Sequence, residues 1–552
     1  MNNFSDNQYL ILSDDGKTLI GIDESILHKI KNITIPNTIT HIAEDAFDGC
    51  EVLISIDVAR DNPNYSSEDG VLFNKNKTKL ILSPTGNTRT EYTIPNSVTS
   101  IEDWAFGFNS SLKSITIPES VIQIGKYAFK DCSSLYSITI PKSLKIISEA
   151  AFDGCELLNT VKIDDGVECI EDKAFQGCGS LEKISIPNTV TKIGIGAFIG
   201  CGFKTITLPQ NLTIIENELF AGSSLVSVAI PTGVTHIGES AFADCDWLTS
   251  VYIPDSIITI DHLAFQNCSS ITSIKLPNNL QCLGSGVFDG CVSLNSITIP
   301  NSVTVISEAV FEGCSSLSSI VVENGNRKYD SRDNCDAIIE TETNVLITGC
   351  KNTVIPDGIT VVGKHAFCQC SLLSAITIPD SVIEIADWAF LGCSSLKSIV
   401  LPANVKRIGW MSFADCSNLM SITLSEGLTH IGIHSFIGCA FLSSITLPST
   451  IVNIEVEPFK DCSSLQKIYV NPGQKSRFSR FYALSKVAHL IEEKEEHGVP
   501  TNKTCSSCGK IFSSDFAFCP YCGAEQSRKC PICGATNLPV DACFCPECGT
   551  KL

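Results

Sequence analysis

A cysteine recurs every 23 residues along much of this chain, and that period restricts what the chain can fold into. Cys132, Cys155, Cys178 and Cys201 are 23 apart, as are Cys245, Cys268, Cys291 and Cys314, and again Cys370, Cys393, Cys416, Cys439 and Cys462. Two 22-residue units join Cys201 to Cys245, with Ser223 in the cysteine slot. A fixed period of this length marks a solenoid or related array, because one unit cannot bury its apolar face alone and must stack on its neighbours.

The unit from Leu112 to Cys132 serves as a template. With Leu112 as position 1, apolar residues fall at positions 1, 4, 6, 10, 13, 17 and 18, with Cys at 21. The alternation through positions 4–6 is the two-residue period of a strand with one face buried. Pro at position 7 ends that strand by removing a ladder donor. Val-x-x-Ile-Gly then predicts a second short extended piece, and x-x-Ala-Phe-x-x-Cys about one helical turn on the outer side. Counting the position-18 Phe from Phe47 to Phe459 gives about 16 coils. The period breaks at residues 59–91 and 323–353. Each reads as a β-hairpin leaving the array, either a binding element or a structural patch at an irregular coil.

The unit L-x-S-I-T-I-P-x-S-V-T-x-I-G-x-x-A-F-x-G-C-S-S resembles the BspA-like subfamily of leucine-rich repeats over about residues 30–470. The resemblance implies a leucine-rich-repeat solenoid, α/β but mostly β, with parallel strands stacked in about 16 coils of 22–23 residues. It also implies an adhesion or protein-interaction surface, often exported. Residues 1–29 read as an N-terminal cap with strands near Tyr9–Leu12 and Thr18–Ile22. The solenoid is expected over 30–472, a helical C-terminal cap over 473–493 and a linker over 494–504.

The 28 cysteines divide into two kinds. Fourteen occupy position 21, where a buried thiol acts as a small apolar residue with a weak donor, suited to a tight column near backbone carbonyls. The tail differs. Cys505-x-x-Cys508 and Cys519-x-x-Cys522 read as one zinc ribbon (505–523), and Cys530-x-x-Cys533 with Cys545-x-x-Cys548 as a second (530–549). Each knuckle aims two thiolates at one ion, and two knuckles complete a tetrahedral site, so two structural zinc ions are expected, with iron as the other metal such a set takes. Gly after the second Cys supplies the permissive turn. Cys543 aligns with Ala517 and is left out of the ligand set. The pair of ribbons resembles the double zinc-ribbon modules at the ends of many prokaryotic proteins.

A net charge of −21 disfavours a general nucleic-acid or membrane-surface binder. Residues 499–552 carry five Lys/Arg against four Asp/Glu, weak support for nucleic-acid association through the ribbons. No basic start followed by an apolar run opens the chain, and no stretch approaches a membrane span. A cytoplasmic, reducing compartment is therefore expected, with the cell surface as the alternative that the resemblance suggests.

Catalytic motifs are missing from the sequence, so a non-catalytic interaction scaffold is expected, with another protein as partner. His41, His236 and His430 share position 12 in distant coils, and His262, His365 and His434 lie at positions 15 or 16; all read as exposed and unpaired. Strand positions 3 and 5 are mostly Ser and Thr, a flat neutral face. Departures from it mark candidate partner contacts: Lys162, Lys183, Tyr252, Lys275, Lys467 and Tyr469. Trp104, Trp388 and Trp410 are candidate anchors on another face, since aromatics carry much interface energy.

Overall fold

The computed structural model describes residues 9–494, together with 502–505, 507, 509, 511–513 and 519. The chain forms two compact units, Met1–Ser270 and Ile271–Leu552.

In the N-terminal unit, Leu10–Leu12 pairs antiparallel with Thr18–Ile22, which pairs parallel with His41–Ile42 and so covers the first coil. Front strands then stack in register: Glu91–Thr93, Ser114–Thr116, Ser137–Ile140, Thr160–Ile163 and Lys183–Ser185 form one parallel ladder. Ile138 and Ile140 point into the core while Ser137 and Thr139 face solvent. The two-residue pieces at positions 12–13, such as Ile146–Ile147, Cys169–Ile170 and Lys192–Ile193, form a second parallel ladder. Position-18 rings run through the interior as a stack; Phe106, Phe129, Phe152 and Phe175 lie 5.1–5.3 Å apart with planes within 8°.

The outer segment differs from the helical turn expected there. From Trp104 onward the residues at positions 16 and 20 have left-handed backbones, for example Tyr127 (φ 58°), Asp131 (φ 55°) and Gly154 (φ 71°). A left-handed residue every fourth position cannot continue a helix. The alternation instead turns successive amides toward the next coil: Tyr127 N–H donates to Glu149 O (3.1 Å), Phe129 N–H to Ala151 O (2.8 Å) and Asp131 N–H to Asp153 O (2.7 Å). The outer turn is thus a third coil-to-coil ladder. This explains Gly, Asp and Asn at position 20, the residues that tolerate positive φ most readily.

Residues 59–91 also depart from expectation. Tyr65–Glu68, Val71–Asn74 and Lys79–Leu82 form a three-stranded antiparallel meander, and Lys79–Leu82 then joins Ser100–Ile101 in parallel. The third strand takes the place of a coil's second strand, and Val71, Leu72, Phe73 and Leu80 are fully buried. The insertion is a structural patch, not a hairpin projecting from the array.

The C-terminal unit repeats these devices. Ser296–Ile299 pairs in register with Ser319–Val322, and Phe367, Phe390 and Phe413 stack at 5.0–5.2 Å. Residues 323–353 hold the same meander: Tyr329–Asp330, Ala337–Glu340 and Val345–Gly349, the last joining Val361–Val362 in parallel. An asparagine pins each insertion. Asn62 Nδ2 donates to Pro36 O and Ile39 O while its Oδ1 accepts from Asn64 and Tyr65; Asn326 does the same with Pro300, Val303, Lys328 and Tyr329. The C-terminal cover is helical only in part, at Lys475–Phe478 and a 3₁₀ stretch Tyr482–Leu490. Ile491–Glu493 is a strand that extends the front ladder from Lys467–Val470. The end of the expected linker is also a strand, Asn502–Thr504, paired antiparallel with Ile511–Ser513.

Position 14 shows how tightly the coils fit. A Cβ on Gly125 would lie 2.5 Å from Asp103 N and 2.3 Å from its Oδ1, which accepts from Lys126 N–H. Gly194 and Gly409 are crowded in the same way against Asp172 and Asp387. Gly125→Ala should therefore cost about 1–3 kcal/mol through overpacking against backbone, read as a lower urea midpoint. Gly16→Ala, where a Cβ meets nothing within 4 Å, should leave that steric penalty absent and cost only its φ of 64°.

Candidate interaction surfaces and metal centre

The cysteine column has a defined bonding role. Cys132 Sγ donates to Phe106 O (3.1 Å), Cys155 to Phe129 O (3.2 Å) and Cys178 to Phe152 O (3.3 Å); Cys393, Cys416 and Cys439 repeat the contact at 3.2 Å. Each Phe carbonyl also accepts the amide of its own coil's cysteine, as Phe129 O does from Cys132 N (3.2 Å). The thiol thus satisfies the carbonyl's second lone pair in a space without water. Among the described residues the column cysteines are thiols, not disulfides. Burial pushes Cys132 and Cys416 up to about 12.

The front face carries Ser114/Thr116, Ser137/Thr139 and Thr205/Thr207 as exposed hydroxyl pairs, with Ser296/Thr298 in the C-terminal unit. Lys162, Lys183 and Tyr252 stand exposed among them in the N-terminal unit, Lys162 in an ion pair with Asp164 (2.8 Å). In the C-terminal unit Lys275 is exposed, and Lys467 pairs with Glu492 (2.8 Å) near the half-buried Tyr469 ring. Lys162 and Lys183 lie on neighbouring paired strands, and Lys467 and Tyr469 share one strand.

Three of the four tryptophans fall in two separate groups. Trp104, 39% exposed, stacks against Tyr127 (4.5 Å) and Phe108 (5.8 Å). Trp104 and Phe108 also wall a groove with Phe47, Tyr65, Ile81 and Leu82. In the C-terminal unit Trp388 meets Trp410 at 4.5 Å and stacks on His365 at 5.0 Å.

The histidines depart from the exposed, unpaired reading: His41 Nδ1 and His430 Nδ1 lie 3.1 and 2.8 Å from the hydroxyls of Thr40 and Thr429. His236 Nε2 lies 2.8 Å from Asp261 Oδ2. His365, with a side chain 19% exposed, sits beside Glu312 and Cys368: its Nδ1 is 3.4 Å from Glu312 Oε2, while Cys368 Sγ donates to Glu312 Oε1 at 3.0 Å. Sequence reasoning missed this group because Glu312 and Cys368 are 56 residues apart. Both are position 19 in coils flanking the second insertion, and aligning Phe311 with Phe367 would have placed them together.

In the tail, Cys505 and Cys519 are buried. Ser507 N–H points at Cys505 Sγ (3.4 Å), and Gly509 N–H closes the turn on Cys505 O (2.9 Å) with φ 72°. An amide aimed at sulfur and a glycine-closed knuckle fit a metal-thiolate site. The other expected ligands, Cys508, Cys522, Cys530, Cys533, Cys545 and Cys548, lie outside the described residues.

Parallel coils of 22–23 residues with an apolar interior define a leucine-rich-repeat solenoid, here with a cysteine knuckle in its tail. The chain belongs to the BspA type leucine-rich-repeat family, whose model matches residues 24–89, 85–202, 168–264, 235–332 and 346–466. A double zinc ribbon matches residues 505–549, which implies zinc binding. Among solved structures, a leucine-rich repeat protein from Bacteroides ovatus is 28% identical, covering 74% of this chain and 97% of its own, with a TM-score of 0.50. A leucine rich cell surface protein from Faecalibacterium prausnitzii is 25% identical, covering 79% and 97%, with a TM-score of 0.36. No curated protein matches the chain. These relationships identify a repeat-scaffold fold rather than a known enzyme family.

The raised thiols give a pH dependence. A thiol whose folded pKa lies above its unfolded value contributes fully below that unfolded value, and the contribution is lost as pH rises toward the folded one. With Cys132 moving from an ordinary 9.0 to about 12, stability should fall across that interval as the unfolded chain releases protons. Urea midpoints at pH 8 and 10.5 measure the loss, and a Cys132→Ala/Cys155→Ala/Cys178→Ala variant should show a shallower fall.

Proposed function

We propose that this protein is a non-catalytic scaffold that binds another protein along its solenoid, with two zinc ribbons as an accessory binding module. The observation that carries the reading is the front face, where Ser and Thr hydroxyls repeat in register on parallel strands with isolated Lys and Tyr among them. Such a face offers many equivalent weak contacts, while the exposed rings of Trp104 and Trp410 supply large apolar area that concentrates binding energy.

Each ribbon holds one structural zinc ion on four thiolates. A closed four-cysteine set leaves no position for substrate, and modules this small draw folding energy from the metal. The compartment we propose is the cytoplasm, since the ribbon thiolates and the column thiols both work only in reduced form.

Two measurements test the reading. The ribbons should account for two zinc ions in purified chain, so zinc content should fall by two ions per chain in a Cys505→Ser/Cys530→Ser variant; unchanged zinc in that variant would sink the ribbon assignment. Affinity capture should recover the same partner with the full chain and with a truncation at residue 495. Trp388→Ala/Trp410→Ala or Trp104→Ala should weaken that capture at least tenfold. A partner retained by both tryptophan variants and lost on truncation would move binding to the ribbons, and recovery of the chain at the cell surface would overturn the compartment.

A further inference from the structure

The outer-turn ladder changes at one seam of the C-terminal unit. In regular coils the amides of positions 16, 18 and 20 all reach the next outer turn, as Trp388 to Trp410 O (2.8 Å), Phe390 to Ser412 O (2.7 Å) and Gly392 to Ala414 O (2.8 Å). Across the second insertion, Ala366 O instead accepts from Gly349 of the insertion (2.8 Å), and Gly313 N–H reaches Cys368 O only at 3.5 Å. Side chains take over the seam: Lys364 Nζ pairs with Glu308 (3.0 Å), and Glu312 meets both His365 and Cys368.

The last three offer oxygen, nitrogen and sulfur donors that all lie within 4.8 Å of one another. A tetrahedral zinc ion with bonds of about 2.0–2.3 Å sets its ligand atoms about 3.3–3.8 Å apart. Cys368 Sγ lies 3.0 Å from Glu312 Oε1 and His365 Nδ1 lies 3.4 Å from Glu312 Oε2, so each of the two donors is near that spacing from one of the carboxylate oxygens. His365 Nδ1 is buried and faces Glu312 Oε2 at 3.4 Å; a cation bound between them would replace that contact, with the imidazole neutral and its proton on Nε2. Stacking on Trp388 fixes the plane of the ring. The three side chains line a cavity with room for the centre of one water-sized sphere, about 10 Å³, which is space for a single ion among them.

We propose that Glu312, His365 and Cys368 form a third metal site, binding a divalent transition cation of the zinc type that clips the coil before the second insertion to the coil after it. The carboxylate and the imidazole coordinate directly, and Cys368 gives up its proton to solvent as its sulfur binds. The hydrogen bond it now makes to Glu312 is replaced by two bonds to one ion. A Cys–His–acid nucleophile fits less well, because the thiol donates to the carboxylate and not to the imidazole. The ion's role is that of a staple between coils that the backbone joins loosely.

The experiment uses the full chain with all eight ribbon cysteines replaced by serine, which removes both knuckles from each ribbon. Titrated with Co²⁺, it should bind one ion per chain, with tetrahedral d–d bands and a single-thiolate charge-transfer band. Adding Cys368→Ser should abolish the charge-transfer band. Glu312→Gln, which keeps the side-chain shape and the bond from Cys368, should weaken Co²⁺ binding at least tenfold. Zn²⁺ should raise the thermal midpoint of the knuckle-less chain, and either substitution should remove that rise. A knuckle-less chain that binds no Co²⁺ overturns the site, as does one whose Co²⁺ spectrum and zinc-dependent stabilisation persist in both Cys368→Ser and Glu312→Gln.

Discussion

The forward hydrogen bond from each outer turn to the next is the constraint on which the rest of this solenoid depends. It requires amides that alternate in direction, and that alternation requires left-handed residues at positions 16 and 20. Once Phe129 N–H is committed to Ala151 O, the Phe129 ring points into the core and its carbonyl faces the neighbouring coil. That carbonyl accepts the Cys155 thiol at 3.2 Å. The Phe stack, the cysteine column and the glycine or aspartate at position 20 are therefore one device. Cysteine suits it because the site is apolar and the donor needed is single and weak. At Ser223, in a 22-residue unit, the hydroxyl lies 3.4 Å from Cys245 Sγ, so a polar donor stays within the same column.

The repeat and its strands were legible because burial alternates with a period of two wherever one face of a strand is covered. Ile138 and Ile140 inside with Thr139 outside needed nothing but the pattern. The outer turn was misread for a physical reason: Ala128-Phe129-x-x-Cys132 has the spacing of a helical face, and apolar spacing alone does not report backbone handedness. Gly154, Gly177 and Gly200, one residue before the cysteine in successive coils, were the available signal. Lys173 at position 16 carries none of it, since a long side chain occupies positive φ only when a ladder compels it.

The eight ribbon ligands were proposed from spacing alone, and the knuckle at Cys505 has the turn that this spacing demands. Glu312, His365 and Cys368 were illegible by the same method. Their juxtaposition depends on how much chain the second insertion removes from the outer side, and no local spacing encodes that. A motif scan finds ligands close in sequence or repeated at one period; it passes over ligands that a solenoid brings together by skipping a coil.

The two insertions make that dependence concrete, because the same meander leads to opposite results on the outer side. Phe47 and Phe106 are 59 residues apart and Phe311 and Phe367 are 56. The connector after the third strand is five residues longer in the first insertion, Leu80 to Pro95 spanning 15 residues against 10 from Leu346 to Pro356, while the stretch before it, Phe47 to Leu80, is two residues shorter than Phe311 to Leu346. In the N-terminal unit the longer connector places Pro84 and Thr85 along an open groove between outer turns. The position-15 residues facing that groove are both acidic, Glu44 and Asp103. In the C-terminal unit the shorter connector draws the turns together, and position 15 holds the opposite charges Glu308 and Lys364 at 3.0 Å. An exposed ion pair is worth at most about 1 kcal/mol, so it does not close the seam by itself. Connector length sets the approach, and the charges then favour or oppose it. One module thus yields an aromatic-walled groove in one unit and, in the other, a seam tight enough to gather three metal donors.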